Sequence, residues 1–214
     1  MTEAGTEQPQ VDVPMNPYWA DMGARAVRRA APGWHDLVLA MGRLQDAFAG
    51  SAPPQETVTE VAALFERAQA LLAAHEVGDE GQLFGRMLPN NNRGQTFSPP
   101  VRVTAVGEQT LTGEVVFGRF HSGTNSTVHG GAISLMYDDV FGRLVGFADV
   151  RQARTANLSV NYRSVTPVGE PLTVRVAVDK VDGRKWHVAG TLHHGERLCS
   201  DATGLFITLR PGQQ

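Results

Sequence analysis

The feature that most constrains the fold is a long apolar run from Ala132 to Ala148. It is apolar on nearly every side of a helix, and only Asp138, Asp139 and Arg143 interrupt it. A helix without a polar face must be enclosed by protein, and three charges inside it argue against a membrane span. We therefore predict a buried helix from Gly131 to Ala148 at the centre of a domain.

The segments on both sides of this helix alternate with the two-residue period of β-strands. Val181-Asp182-Gly183-Arg184 supplies a hairpin turn signal between two of them. The predicted order is β-β-α-β-β-β-β, with antiparallel strands joined by short turns. A curved antiparallel sheet wrapped around one long helix is the α+β arrangement called the hotdog fold.

The part of the chain before residue 96 has a different character. We predict a flexible tail over 1–14, a helical extension with a linker over 15–95, and the sheet domain over 96–211. The helices are expected near 18–30, near 34–48 and after Pro54, and 86–100 is interpreted as the linker. In the third helix, apolar residues recur every three or four positions, so one side is expected to pack against the domain.

Composition excludes several classes of function. The net charge of −3 gives no basic face for nucleic acid, so an anionic ligand needs a local basic patch. Cys199 is the only cysteine, which rules out an intrachain disulfide and favours a buried thiol. With no signal-like segment at the N-terminus, a cytoplasmic protein is the simplest expectation. His187, His193 and His194 lack convincing ligand spacing, so neither a metal nor a cofactor is predicted.

The two carboxylates inside the predicted helix have different prospects. Asp139 faces Arg143 one turn later, which predicts an ion pair. Asp138 has no cation at such a spacing, and a buried carboxylate is costly unless it is paired or hydrogen-bonded. Its spacing alone leaves a structural and a functional role open.

The start of the helix is the second candidate for chemistry. His129-Gly130-Gly131 leads directly into it, and free N–H groups at a helix N-terminus stabilise negative charge. Such a place suits the oxyanion of an attacked thioester, although two glycines also suit a tight turn. Gly130 and Asp138 lie eight residues apart, about 12 Å along a helix. One carbonyl cannot contact both, so joint action on one substrate requires two subunits.

These residues match a known family. HGGAISLMYDD (129–139) resembles the HGG-x6-Asp signature of PaaI-like hotdog thioesterases, and that signature selects Asp138. The segments 155–163, 178–188 and 200–209 extend the resemblance to the mammalian thioesterase-superfamily long-chain acyl-CoA hydrolases, which also carry a helical N-terminal extension. Four blocks in the right order cover about residues 100–210, whereas residues 1–95 match only in general character.

The resemblance implies hydrolysis of medium- or long-chain fatty acyl-CoA. Asp138 would act as general base or nucleophile, and the N–H of Gly130 or Gly131 would polarise the carbonyl. His129 would hold the loop in shape. Thr155 would be a catalytic helper, and strict alternation places it on the polar side of its strand.

The CoA moiety is polyanionic and needs cations. The resemblance assigns substrate contacts to four residues in two of the matching blocks, namely Asn161, Arg163, Arg184 and Lys185. The alternative for these residues is a solvated strand end and a charged turn. Asn125 is a further candidate for orienting the substrate. The expected assembly is a homodimer or a dimer of dimers, and the competing functions are a non-catalytic acyl-CoA binding module and a hotdog dehydratase.

Overall fold

The computed structural model describes residues 16–88, 90–148, 152–210 and 212–213. The tail predicted over 1–14 lies outside the described residues. The helices are α1 (Pro17–Arg29), α2 (Trp34–Ala49), α3 (Gln55–Ala73) and α4 (Gly130–Ala148). The strands are β1 (Val101–Val106), β2 (Thr110–Val116), β3 (Ala153–Tyr162), β4 (Pro171–Asp182), β5 (Lys185–His194) and β6 (Arg197–Thr208).

The strands form one antiparallel sheet in the order β1-β2-β4-β5-β6-β3. Helix α4 follows β2 and precedes β3 in the sequence, which confirms the predicted order β-β-α-β-β-β-β. Its apolar side chains form one core with the inner face of the sheet, and Tyr137, Val140 and Phe141 are fully buried there. The central helix follows from its composition, because only enclosure satisfies a helix that is apolar nearly all round.

Strand β3 contains a β-bulge that the sequence did not reveal. Thr155 pairs with Phe206 and Asn157 with Leu205, which leaves Ala156 without a partner on β6. The extra residue reverses the alternation, so Thr155 shares the inner face of the sheet with Leu158. The prediction that Thr155 lies on the polar side was therefore wrong, and the bulge turns its hydroxyl towards α4.

The same strand forms one edge of the sheet and is widely exposed. It is ten residues long and presents few charges along its edge. Long uncovered edges are unusual in soluble proteins because they offer unpaired N–H and C=O groups to other chains. This edge lies beside α4, to which Thr155 and Tyr162 connect it.

The helical extension is confirmed, and α1 and α2 dock at different places. Asn16 donates from Nδ2 to the carbonyl of Gly146 at 2.7 Å and so fixes the start of α1 to the end of α4. On α2, Asp46 Oδ1 accepts from the N–H of Phe120 at 2.9 Å, which attaches that helix to the loop before His129.

Helix α3 differs from its prediction. None of its residues is buried, and the side chains of Leu64, Leu71 and Leu72 are more than half exposed. The apolar periodicity predicts the helix correctly, but among the described residues that face is left largely exposed. Amphipathicity shows that a helix has an apolar face without naming its partner.

In the segment predicted as a linker, 86–100, several of the described residues are instead packed into the domain. Asn92, Gly94, Gln95 and Ser98 are buried there. The Gln95 side chain bonds to Ser98, with its Nε2 lying 2.6 Å from Ser98 Oγ. Turn residues such as Asn and Gly predict the absence of regular structure, but they do not predict the absence of packing.

Candidate active site

Asp138 lies in the middle of α4 and receives a hydrogen bond from β3. Thr155 Oγ1 donates to Asp138 Oδ1 at 2.7 Å, a contact that the bulge at Ala156 makes possible. In the described ranges no arginine, lysine or histidine forms an ion pair with Asp138. A hydroxyl donor holds a carboxylate in place and leaves its second oxygen available to a water molecule or substrate.

A cavity of about 270 Å³ opens beside this carboxylate. Asp138 and Thr155 line it together with Gly142, Phe147 and the α1 residue Trp19. An apolar cavity of about 150 Å³ already accommodates a benzene molecule, so this one has room for a larger apolar group. A mainly apolar pocket with a few placed polar groups is the usual form of a small-molecule site.

Asp139 is not available for this role, because two arginines form ion pairs with its carboxylate. Its Oδ1 lies 2.6 Å from Arg93 Nη1, and its Oδ2 lies 2.7 Å from Arg143 Nη2. The predicted pair with Arg143 is therefore confirmed, and Arg93 is an additional partner. Burial lowers the pKa of Arg143, and the Asp139 carboxylate opposes that shift. This cluster is structural, since it fixes the 86–100 segment to α4.

The helix start presents a single unengaged amide. The N–H of Gly131 donates to His129 Nδ1 at 3.0 Å, which joins the imidazole to the helix start and places the proton of its neutral form on Nε2. Within the described part of the chain, the N–H of Gly130 has no acceptor. The geometry thus favours Gly130 over Gly131 as the donor to an oxyanion.

Two further residues, which the sequence reasoning missed, hold this peptide in place. Tyr162 donates from its hydroxyl to the Gly130 carbonyl at 2.9 Å, and Ser134 Oγ donates to the same oxygen at 3.2 Å. The two hydroxyls lie 3.1 Å apart. Ser134 was recoverable from its i+4 spacing to Gly130, but Tyr162 was not, because it comes from a distant strand.

The two candidate sites are separate within one protomer. A second cavity of about 600 Å³ is lined by His129 and Gly131, and it shares no residue with the cavity beside Asp138. The eight-residue spacing corresponds to about 12 Å along α4. Within one protomer, the Asp138 carboxylate and the start of α4 therefore border different cavities.

The residues predicted to bind CoA lie in two groups, one near each end of β3. Asn161 Nδ2 donates to Asp201 at 2.8 Å, and Arg163 forms an ion pair with the same carboxylate. Hydrogen bonds from Arg163 and Asn161 lower the pKa of Asp201. Arg163 is thus partly neutralised, although it remains exposed.

Arg184 and Lys185 lie at the other end, beside a basic residue that the sequence reasoning overlooked. Arg154 pairs with Ile207, which in turn pairs with Lys185, so the two cations share the outer face of the sheet. Arg154 also lines the cavity beside Asp138. Arg184 donates to the Thr208 carbonyl at 3.0 Å. Arg154 therefore connects this basic end of the sheet with the cavity that Asp138 lines.

Asn125 lies in the exposed loop before His129, with a positive φ of 54°. Asparagine tolerates this left-handed conformation better than most residues, which gives it a conformational reason to be there. It lines neither cavity.

The described residues contain no group of three or more His, Cys, Asp or Glu arranged to hold a metal ion. None of the helices in the described part of the chain is long and apolar enough to cross a membrane. Cys199 is buried and unpaired.

Comparisons with known sequences match the segment that contains α4 and the strands after it. A family model described as the thioesterase superfamily matches residues 125–200. The acyl-coenzyme A thioesterase THEM4 of Bos taurus is 33% identical over 96 residues, which cover 44% of this chain and 39% of that protein. Its counterpart in Mus musculus is 35% identical over 91 residues, covering 42% and 39%. The match thus spans about two fifths of the length of these relatives.

Comparison with solved structures extends the similarity in fold to nearly the whole chain. Protein RHA08564, a thioesterase superfamily protein, has a TM-score of 0.72 and 24% identity, over 94% of this chain and 98% of its own. The structure of smu.793 from Streptococcus mutans, bound to acetyl CoA, has a TM-score of 0.50 and 17% identity, over 54% and 92%. These likenesses show the fold, so the predicted hotdog fold with a helical N-terminal part is confirmed.

Proposed function

We propose that this chain, whose residues 125–200 match the thioesterase superfamily model, hydrolyses acyl-CoA to a free acid and CoA. The acyl group is a fatty chain of medium or long length. The observation that carries the proposal is the Asp138 carboxylate, held by Thr155 at the wall of an apolar cavity and paired with no cation in the described residues.

In the proposed reaction Asp138 activates the attack on the thioester carbonyl. As a general base it takes a proton from a water molecule, whose oxygen bonds to the carbonyl carbon. As a nucleophile its own oxygen forms that bond, and water then releases the acid. In both cases the carbon–sulfur bond breaks and CoA leaves as the thiolate. The negative charge on the carbonyl oxygen needs a donor, for which the Gly130 N–H is the best candidate.

The donor and the carboxylate come from different subunits in this proposal. A two-fold dimer with antiparallel α4 helices places Gly130 of the partner subunit opposite Asp138 and creates two equivalent sites. The exposed edge of β3 lies on the face that such a dimer covers. Higher association, as a dimer of dimers, is compatible with this arrangement.

The same symmetry brings the separated cations together. Within a protomer, Tyr162 contacts Gly130 and Thr155 contacts Asp138, so β3 runs antiparallel to α4. When Gly130 of the partner subunit faces Asp138, the partner subunit's Arg163 approaches Arg154. With Arg184 and Lys185 these residues form the local basic patch that CoA phosphates require. The acetyl CoA bound to smu.793 supports a CoA ester as the ligand class.

The decisive experiment measures CoA release from acyl-CoAs of increasing chain length, with Asp138→Asn beside the wild type. We expect turnover that falls by at least about a thousandfold in the variant, as when one catalytic group that acts in the transition state is removed. Asp179→Asn, which changes an exposed carboxylate on β4, is the control. Near wild-type rates in Asp138→Asn would refute the mechanism. No release from any substrate, by folded dimeric protein, would favour a non-catalytic acyl-CoA binding module.

The oxyanion donor has its own matched pair of variants. Gly130 is the first residue of α4, a position where proline fits because its missing N–H is not needed by the helix. Both Gly130→Pro and Gly130→Ala introduce a Cβ close to the Tyr162 hydroxyl, but only proline removes the N–H. A much larger loss of kcat in the proline variant supports the assignment, and equal losses contradict it.

The cytoplasmic location favoured by the sequence stays a prediction.

A further inference from the structure

The cavity beside Asp138 is closed at its far end by the N-terminal extension. Asp138 and Thr155 lie at one end of it, and Trp19 from α1 lines it together with Leu88 and Gly146. The helical extension therefore contributes directly to the wall of the candidate acyl pocket.

Between these two ends, the cavity borders a strip of α4 that is formed by glycines, which have no side chains. Gly142 and Gly146 follow Asp138 at intervals of four residues and so share its face of the helix. A Cβ atom added to Gly142 would have only Phe206 Cε1 nearby, at 3.8 Å, so the space above it is open. From Asp138 to Gly146 the strip is about 12 Å long.

Trp19 ends this open strip. A Cβ atom placed on Gly146 would lie 2.9 Å from Trp19 Nε1 and 3.4 Å from Trp19 Cδ1, so the indole covers that glycine. Asn16 fixes the backbone of Trp19 to this end of α4, since its Nδ2 donates to the Gly146 carbonyl at 2.7 Å and its Oδ1 accepts from the backbone N–H of Trp19 at 3.1 Å. The contact needs a glycine at 146, because any larger residue would displace the ring.

We propose that Trp19 is the specificity-determining residue that sets the longest acyl chain the pocket accepts. The inference rests on the proposed function, because it assigns the acyl group to this cavity. A fully extended chain advances at most about 1.2 Å per bond, so a strip of about 12 Å that ends under an indole accommodates roughly ten carbons. The preferred substrates are then medium-chain rather than long-chain acyl-CoAs.

The test compares chain-length profiles of the wild type with Trp19→Ala and Trp19→Phe. Binding is measured by calorimetry with S-alkyl-CoA thioethers from four to eighteen carbons, which cannot be hydrolysed. Affinity rises about fourfold for each methylene that enters an apolar pocket and stops rising when the pocket is full. We expect the wild-type series to stop near ten carbons and the Trp19→Ala series to continue for about four more. Trp19→Phe, which perturbs the docking of α1 less, should shift the limit by a smaller amount.

Val27→Ala is the control, because Val27 is an exposed apolar residue on the same helix and lines neither cavity. An unchanged limit in Val27→Ala supports a specific role for Trp19. The same limit in all variants, or an equal shift in Val27→Ala, would overturn the inference. Acyl-CoA hydrolysis by the wild type is measured separately. If the binding limit moves but no acyl-CoA is hydrolysed, the proposed function fails while the role of Trp19 stands.

Discussion

Thr155 and Asp138 are joined by a hydrogen bond of 2.7 Å that links the edge strand β3 to the centre of the buried helix. The bulge at Ala156 makes the bond possible by turning Thr155 inward. Bulges are common next to active sites because they redirect a side chain without altering the rest of the sheet. The carboxylate therefore has a fixed orientation, and an ionised acceptor makes this bond stronger than a neutral one.

Thr155→Val is expected to lower kcat by about 10- to 100-fold, which corresponds to the loss of one hydrogen bond to a charged group. Thr155→Ser retains the hydroxyl and should restore most of the rate. Ser159→Ala, which removes a hydroxyl from the outer face of the same strand, is the control. Steady-state kinetics on one acyl-CoA decide the matter. Equal rates in the valine and serine variants would show that the hydroxyl does not act.

Asp139→Asn should reduce stability instead of chemistry. It leaves Arg93 and the buried Arg143 without their carboxylate, and breaking a buried ion pair costs about 3–5 kcal/mol. Urea denaturation measures the loss. Glu114→Gln removes an exposed partner of Arg102 and should cost less than about 1 kcal/mol. A selective loss of activity with normal stability in Asp139→Asn would mean that the wrong aspartate was chosen.

Local patterns in the sequence predicted the central helix and the ion pair upon it. The apolar periphery of α4 required enclosure, and the four-residue spacing of Asp139 and Arg143 predicted their ion pair. Both inferences depend on residues within one helix. The loop shape at His129 likewise follows from neighbouring residues.

The features that escaped prediction depend on distant residues. The bulge at Ala156 exists only in the pairing of β3 with β6, and a period-two pattern carries no mark of it. Arg93 forms a hydrogen bond with Asp139, which lies 46 positions later in the sequence. This contact attaches to the domain a segment that the sequence pattern had indicated as a linker. Trp19 reaches Gly146 in the same way. No spacing rule within one element reveals such contacts.

Tyr162→Phe should reduce kcat with little change in stability. The hydroxyl donates to the Gly130 carbonyl, and its loss allows the peptide that carries the candidate donor to move. A neutral hydrogen bond contributes about 0.5–1.5 kcal/mol, and Ser134 still holds the same oxygen. We therefore expect a decrease of about 3- to 10-fold. In the double variant with Ser134→Ala, a loss greater than the product of the single losses would show that the hydroxyls act as one clamp, and additive losses would contradict this.

Arg154→Ala should weaken binding of the nucleotide part of the substrate. A lost contact of about 1.4 kcal/mol raises KM for acyl-CoA about tenfold, and the effect should shrink at high salt. The matching thioester of N-acetylcysteamine has no phosphates, so its KM should not change. Arg175→Ala, which removes an exposed cation from β4, is the control. An equal rise of KM for both thioesters would assign Arg154 to the acyl pocket instead.

His121 should make stability depend on pH. Burial lowers its pKa below the ordinary value of 6.5, and Asp46 only partly opposes that shift. Below 6.5 the unfolded chain binds a proton that the folded protein still refuses, so the free energy of unfolding falls as the pH drops towards the lowered value. Urea denaturation at pH 7.5 and 5.5 should therefore show a smaller difference in His121→Gln than in the wild type. His187→Gln, which removes an exposed imidazole from β5, should keep the wild-type difference. If the His121 variant keeps it as well, the pH dependence arises from other groups.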